Sequence, residues 1–354
     1  MTTSEFMTTD TYTTVHNKFK LNGTHLSAND LCRVAYSFIK EGDDFEKPVG
    51  NFLLDWFDEK EYIDMLTSGS TGISKTIRVM KQSMVNSALA TGNYFDLSPG
   101  DKVLNCLPVK YVAGKMMFVR SFILGLDMEF VAPSAFPMRK NEFDFDFAAM
   151  VPLQAQNSLS ELHKIKKLIV GGAKINAQLE QELLKLHTTC YETFGMTEAV
   201  SHIAAKKIGD KAFTALPHVT ISQDDRNCLV ITAPEVVDNT IITNDLVEMI
   251  SENEFIFLGR MDNLVNSGGI KLIPEQIEAK LLSKIPQRFF VIGVSDADLG
   301  EKLILVIEGE KYDFDKTIFD VLSKYEKPKD IVFISKFKET PNGKMIRRGS
   351  LEQL

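Results

Sequence analysis

Residues 166–195 read KKLIVGGAKINAQLEQELLKLHTTCYETFG, and the order of their textures decides the fold class. KKLIVGG (166–172) is an apolar run stopped by two glycines. AQLEQELLKL (177–186) has the pattern of a helix, and TTCYETFG (188–195) returns to strand. The same rhythm runs ahead of it. KVLNCLP (102–108) reads as a buried strand, KMMFVRSFILG (115–125) as an apolar helix started by Gly114, and MEFVAP (128–133) as the next strand. Strand–helix–strand alternation predicts a layered α/β domain. Upstream, EYIDMLTSGSTGISKTIRVM (61–80) reads as strand, loop, strand, and residues 81–95 as a helix. Leu31, Val34, Ala35 and Phe38 share helical spacing, with Asn29 or Asp30 as the N-cap.

After residue 211 the helices stop. HVTISQ, CLVITAP, TIITND, LVEMI and FIFLGR are short runs between polar turns, which predicts an antiparallel sheet or small barrel appended to the α/β core. From Met261 the texture changes again. A Gly-rich loop, a helix started by Pro274 (PEQIEAKLLSKI), strands RFFVIGV and KLILVIEG, a helix KTIFDVLSKY and a strand DIVFISKF make a small α+β domain. The expected division is 1–259 and 260–354.

The 354 residues are 44% hydrophobic and 25% charged, which excludes collagen-like and disordered classes. Against 40 Lys and Arg stand 48 Asp and Glu, a net charge of −8 that disfavours nucleic acid as a partner. Cys32, Cys106, Cys190 and Cys228 lie far apart without metal-ligand spacing, so reduced thiols in a cytoplasmic protein are expected. The Thr-rich first residues lack the apolar stretch of a signal peptide, and no run has the length of a membrane span.

Four motifs bear chemistry. Thr67, Ser68, Gly69, Ser70, Thr71, Gly72 and Lys75 sit in TSGSTGISK, where glycines admit an anion to the backbone N–H groups, hydroxyls donate, and lysine supplies charge. The spacing is not that of a Walker A loop. Phe194-Gly195-Met196-Thr197-Glu198 combines an aromatic ring, a hydroxyl and a carboxylate, and a carboxylate together with substrate phosphates is a common way to hold Mg²⁺. Gly259-Arg260-Met261-Asp262 precedes Ser267-Gly268-Gly269, and Pro341-Asn342-Gly343-Lys344 lies near the C-terminus. Each alone has a plain structural reading as a turn, a helix start, a linker or a solvated basic tail. His202 reads as packing and Cys190 as a buried thiol.

In this order and spacing the four motifs resemble the AMP-forming acyl-CoA synthetase superfamily, the adenylate-forming ligases, over residues 62–349. Gly171, Gly172 and Ala173 are similar to its adenine-site glycine strand. Thr243-Asn244-Asp245 departs from its Thr-Gly-Asp at the middle residue, and Ser74 replaces a common proline. The segment ahead of the phosphate loop is short for the superfamily. This resembles its compact members, above all the short o-succinylbenzoate–CoA ligases of menaquinone synthesis.

The resemblance implies ATP, Mg²⁺ and CoA as cofactor and co-substrates, and a small carboxylic acid as substrate. It implies that the 67–75 loop holds the β- and γ-phosphates, and that Thr197 touches the α-phosphate. Glu198 would hold Mg²⁺, Asp245 the ribose, and Phe194 would stack on adenine, with Arg260 beside the nucleotide. Lys344 would reach in from a mobile C-terminal domain hinged at Asp262, and be replaced by the Gly268-Gly269 face in the thioester step. Tyr111, Lys115 and Arg120 fall where the superfamily places its acyl pocket. Two cations beside an apolar wall suit an aromatic acid with a second carboxylate, as in o-succinylbenzoate. The alternatives are another aryl- or acyl-CoA ligase, acyl transfer to a carrier protein, and an inactive nucleotide-binding homologue.

Overall fold

Alternate residues of the central strands face opposite ways, and both faces are covered. Val103, Phe147, Ala149 and Ile169 enter one core with helices Lys81–Phe95 and Val112–Leu124. Leu104, Ala148, Leu168 and Val170 enter a second core with helix Ala177–Leu184. Burial on both faces explains why these strands are continuous apolar runs rather than alternating ones. The computed structural model describes residues 11–66, 75–139, 141–313, 315–339 and 345–352.

Among the described residues the large sheet has thirteen strands. From one edge it runs Thr24–His25, Lys20–Leu21, Asp127–Phe130, Lys102–Asn105, Phe145–Met150, Ile165–Val170 and Thr189–Gly195. It continues through His202–Lys207, Phe213–Ala215, Glu254–Arg260, Ile241–Met249, Cys228–Thr232 and Thr220–Gln223. Pairs from Lys20–Leu21 to Thr189–Gly195 are parallel, and those beyond are antiparallel. The α/β layering expected from the sequence is present. The antiparallel strands, however, continue the same sheet rather than being appended to it. A tight turn after Gly195 brings His202–Lys207 back along Thr189–Gly195, so the backbone edge of that strand is paired. TIITND and LVEMI form one strand, Ile241–Met249, with a register shift between Leu246 and Val247.

Three local readings are corrected. Ser27, not Asn29 or Asp30, caps helix Ala28–Lys40, and Asp30 completes the capping box from the third position. The apolar helix begins at Val112, with Tyr111 as its N-cap. Gly114 lies inside its first turn because a Cβ there would sit 2.5 Å from the Pro108 carbonyl oxygen. KTIFDVLSKY forms only a 3-10 stretch, Lys316–Val321. The hairpin Tyr62–Leu66 with Thr76–Met80 and the helix Lys81–Phe95 agree with expectation.

A second, five-stranded sheet contains Val265–Ser267, Ile270–Leu272, Phe289–Asp296, Gly300–Glu308 and Asp330–Ile334, with its own cores and helix Pro274–Leu281. A 3-10 turn, Met261–Asn263, links the two sheets. Strand order reverses beside Lys102–Asn105, whose successors lie on opposite sides of it, and ligands of open α/β sheets gather at such a crevice. Gln154 ties the loops there together, donating from Nε2 to the carbonyls of Cys106 (3.1 Å) and Ser134 (2.9 Å).

Candidate active site

The carboxyl ends of Ile165–Val170 and Thr189–Gly195 lie side by side, and glycines keep both open. Gly171 donates its N–H to the Met150 carbonyl (3.1 Å), and a Cβ on it would lie 2.4 Å from Thr193 Oγ1. Gly172 has φ +83°, the left-handed region glycine tolerates, and exposed Ala173 follows. At Gly195 a Cβ would meet the Ser201 carbonyl oxygen at 2.3 Å, because the antiparallel partner returns directly over it.

That return is made by the segment Met196–Ser201. Thr197–Ala199 forms a 3-10 turn in which Thr197 is 8% exposed while Glu198 faces solvent. The Met196 N–H closes the loop on the Ser201 carbonyl (3.2 Å). Val200 has φ +67° and ψ −51°, and the Ser201 N–H reaches the Ala199 carbonyl at 2.7 Å. This is the rare, strained γ-turn, at a β-branched residue, and such strain costs on the order of 1–3 kcal/mol.

Phe194 is half-buried, its ring braced against Phe213, Phe255 and Phe257 with centroids 5.2–5.8 Å away. On the antiparallel strands Asp245 pairs in register with Arg260. Arg260 Nη1 donates to Asp245 at 2.9 Å and Nη2 to Asp262 at 2.7 Å. Asp245 is 5% exposed, and Asn244, the departure from Thr-Gly-Asp, donates to Asp262 (3.0 Å) while accepting from Arg226 (3.1 Å). Asp262 is thus held to the large sheet by two donors.

Lys115 and Arg120 do not converge. Five residues turn a helix through about 500°, leaving the two about 140° apart. Lys115 Nζ donates to the Val109 carbonyl (2.6 Å) and lies 5.5 Å from the Phe52 ring centroid. Burial pulls its ammonium down to about 8. Arg120 points instead to the start of strand His202–Lys207. It is 2% exposed, and among the described residues no carboxylate pairs with it. Nη2 donates to Ser201 Oγ (3.0 Å) and His202 Nδ1 (3.3 Å), Nη1 to Met117 Sδ (3.7 Å), and Nε is unpartnered. Burial pushes its guanidinium down to about 9. Tyr111 is partly exposed at the head of the same helix.

Thr67, Ser68, Gly69, Ser70, Thr71, Gly72 and Lys344 lie outside the described residues. Lys75 is exposed immediately before strand Thr76–Met80. Sequence reasoning missed Ser201, which meets Arg120, and saw His202 only as packing. His202 does pack, 6.0 Å from the Phe95 ring, but it also accepts from Arg120. Their position directly after Thr197-Glu198 was the available signal. A surface cavity of about 420 Å³ lined by Glu129, Phe136, Arg139 and Phe143 lies three strands along the sheet from Ile165–Val170, away from these groups.

The chain matches the family described as AMP-binding enzyme over residues 58–226. It is 33% identical to an acyl-CoA synthetase (AMP-forming)/AMP-acid ligase II-like protein of Dyadobacter fermentans, with a TM-score of 0.61 over 91% of this chain and 97% of that one. The chain belongs to the AMP-binding enzyme family. The 2-succinylbenzoate–CoA ligase of Salmonella typhimurium is 25% identical over 333 residues, 87% of this chain and 72% of that protein. The ligase of the same name from Escherichia coli is 24% identical over 287 residues, and the chain spans 62% of it. The family match covers the glycine turn and the Phe194–Glu198 segment, while Asp245, Arg260 and Asp262 lie beyond its end. No helix among the described residues is long and apolar enough to cross a membrane.

Proposed function

We propose that this member of the AMP-binding enzyme family is an ATP-dependent, AMP-forming acid–thiol ligase. Its substrate is o-succinylbenzoate, or an aromatic acid likewise bearing a second carboxylate, and its acceptor is CoA in the cytoplasm. Arg120 carries the substrate assignment: a buried guanidinium with only neutral partners is a site in want of an anion. The curated relatives named for 2-succinylbenzoate support the same choice.

A carboxylate is a poor electrophile toward a thiol. Its oxygen attacks the α-phosphorus of ATP, releasing pyrophosphate and leaving an acyl-adenylate; the CoA thiol then attacks the acyl carbon and AMP departs with its bonding pair. Residues 67–72 and Lys75 hold the β- and γ-phosphates, and Thr197 the α-phosphate. Gly171, Gly172 and Ala173 line the adenine with Phe194, whose ring is braced from behind. Asp245, oriented by Arg260, takes the ribose hydroxyls.

Glu198 is the Mg²⁺ ligand. Among the described residues no cluster of three His, Cys, Asp or Glu could enclose a metal, and a single exposed carboxylate completed by substrate phosphates is how Mg²⁺ is commonly held, so the donor set fits. Bound there, Mg²⁺ would neutralise phosphate charge. Lys344 donates to the reacting phosphate, an interaction typically worth about 10²–10³ in rate. Residues 1–259 form the adenylating unit, and 260–354 rotate about Asp262 to exchange Lys344 for the Gly268-Gly269 face. Breaking the Asp262 contacts to Asn244 and Arg260 accompanies that rotation.

A pyrophosphate-release assay over a panel of mono- and dicarboxylic acids, with and without CoA, tests the proposal. Turnover of o-succinylbenzoate with thioester product is expected. Turnover of benzoate or a medium-chain fatty acid at equal efficiency would remove the diacid assignment and leave the ligase chemistry standing.

A further inference from the structure

Arg120 is oriented by a chain of neutral groups drawn from two elements, strand His202–Lys207 and helix Lys81–Phe95. Its Nη2 meets His202 Nδ1 at 3.3 Å, and a guanidinium only donates, so Nδ1 must accept. His202 Nε2 therefore carries the ring proton and donates to Thr91 Oγ1 (3.3 Å). Thr91 in turn donates to the Ser87 carbonyl (2.8 Å), one turn back on helix Lys81–Phe95. From Nη2 through His202 Nε2 to Thr91 Oγ1 each donor meets an acceptor, and the terminal carbonyl fixes the direction of all three bonds. Burial and the neighbouring Arg120 hold the His202 ring well below its usual pKa, in keeping with a neutral imidazole. Thr91 and Arg120 are also fully or almost fully buried, so water does not compete for these bonds.

A histidine is an economical partner for such an arginine. It directs the guanidinium without neutralising it, whereas an aspartate in its place would supply an internal counter-ion. Ser201, delivered by the strained turn at Val200, adds a second neutral acceptor at 3.0 Å. The positive charge is thus aimed and left uncompensated. We propose that His202, held in one tautomer by Thr91, is a positioning residue that fixes Arg120 for the second carboxylate of the acid substrate and so sets diacid specificity. This rests on the role of Arg120 given above.

The test measures pyrophosphate release by the full chain with o-succinylbenzoate and with benzoate, varying each acid at saturating ATP and then ATP at saturating acid, in wild type, His202→Leu, His202→Asn and Thr91→Val. His202→Leu deletes the acceptor. It should raise the KM for the diacid about 10- to 100-fold, the range of a lost hydrogen bond to a charged group, while the KM for ATP and benzoate turnover stay within about twofold. His202→Asn keeps an acceptor near Nδ1 and should recover most of that loss. Thr91→Val keeps shape, frees the tautomer, and should show the same diacid-only loss in smaller measure, which secures the test should His202→Leu fold poorly. Equal loss for both acids and ATP, or no loss in either His202→Leu or Thr91→Val, would overturn the positioning role. A wild type that does not prefer the diacid fails differently: it removes the Arg120 assignment itself.

Discussion

Replacing Arg120 by methionine should make the ligand-free protein more stable and the enzyme worse. Methionine has similar length, and the helix face around it is apolar, with Met116, Met117, Ile123 and Leu124 all buried. Burial alone pushes the guanidinium down to about 9, well below the ordinary arginine range. At 1.36 kcal/mol per unit this amounts to about 5 kcal/mol against the charged form, an upper bound before relaxation. Replacing buried charges by well-packed apolar groups typically gains about 1–4 kcal/mol. Arg120→Met is therefore expected to raise the stability of the unliganded chain by about 1–3 kcal/mol, several degrees or less in Tm for a chain this long. The groups left behind have a remedy, since Ser201 Oγ and His202 Nδ1 are already 3.5 Å apart. Catalysis moves the other way. Removing one partner of a desolvated charge pair costs about 2–5 kcal/mol, or about 30- to 5,000-fold in kcat/KM for the diacid. Thermal denaturation without ligands and pyrophosphate release with o-succinylbenzoate and benzoate read both effects. A fall in Tm with equal loss toward both acids would instead make Arg120 a structural residue.

Other perturbations separate the remaining roles. Lys344→Ala should abolish most acyl-adenylate formation yet still convert a pre-made acyl-adenylate to thioester, and parallel loss of both steps would reject its assignment. Glu198→Gln keeps size but removes charge, so activity should fall and the Mg²⁺ titration shift to higher concentration; an unmoved titration argues against it as a ligand. In the second sheet's domain, Glu278 meets Arg347 at 2.9 Å and lies beside Glu275. Burial pushes its carboxyl up to about 7 against the pull of Arg347. A folded-state pKa above the unfolded 4.5 means that the stabilising contribution is complete below pH 4.5 and is lost as pH rises to about 7, by about 3 kcal/mol. Glu278→Gln should flatten that decline in urea denaturation measured across the window. Superimposable stability-versus-pH curves for variant and wild type would rule the linkage out.

Much of this was legible because it depends on near neighbours. Alternating strand and helix textures located the strands Lys102–Asn105, Ile165–Val170 and Thr189–Gly195 to within two or three residues. The glycine turn and the Thr197-Glu198 segment were recognisable from residue type and order. Gly114 misled because its need is not for a helix start but for room beside Pro108, a contact no local pattern encodes. KTIFDVLSKY misled because helical spacing of apolar residues is compatible with a short 3-10 stretch that buries Phe319 and stops.

Most of the elements, their order and the chemistry on offer could be read along the chain: a hydroxyl-rich glycine loop, a Thr-Glu turn, and cations on an apolar helix. These follow from backbone preference and side-chain type, which act over a few residues. Which groups meet depends on packing between distant segments. Asp245 finds Arg260 through strand register, and the antiparallel strands join the large sheet because one open edge finds another. Lys115 and Arg120, close in sequence, part company because helical twist sends them to different neighbours. Arg120 and His202 stand 82 positions apart. They meet because Val112–Leu124 packs where a strained turn starts the next strand, and their pairing becomes decisive only once burial has stripped both of water.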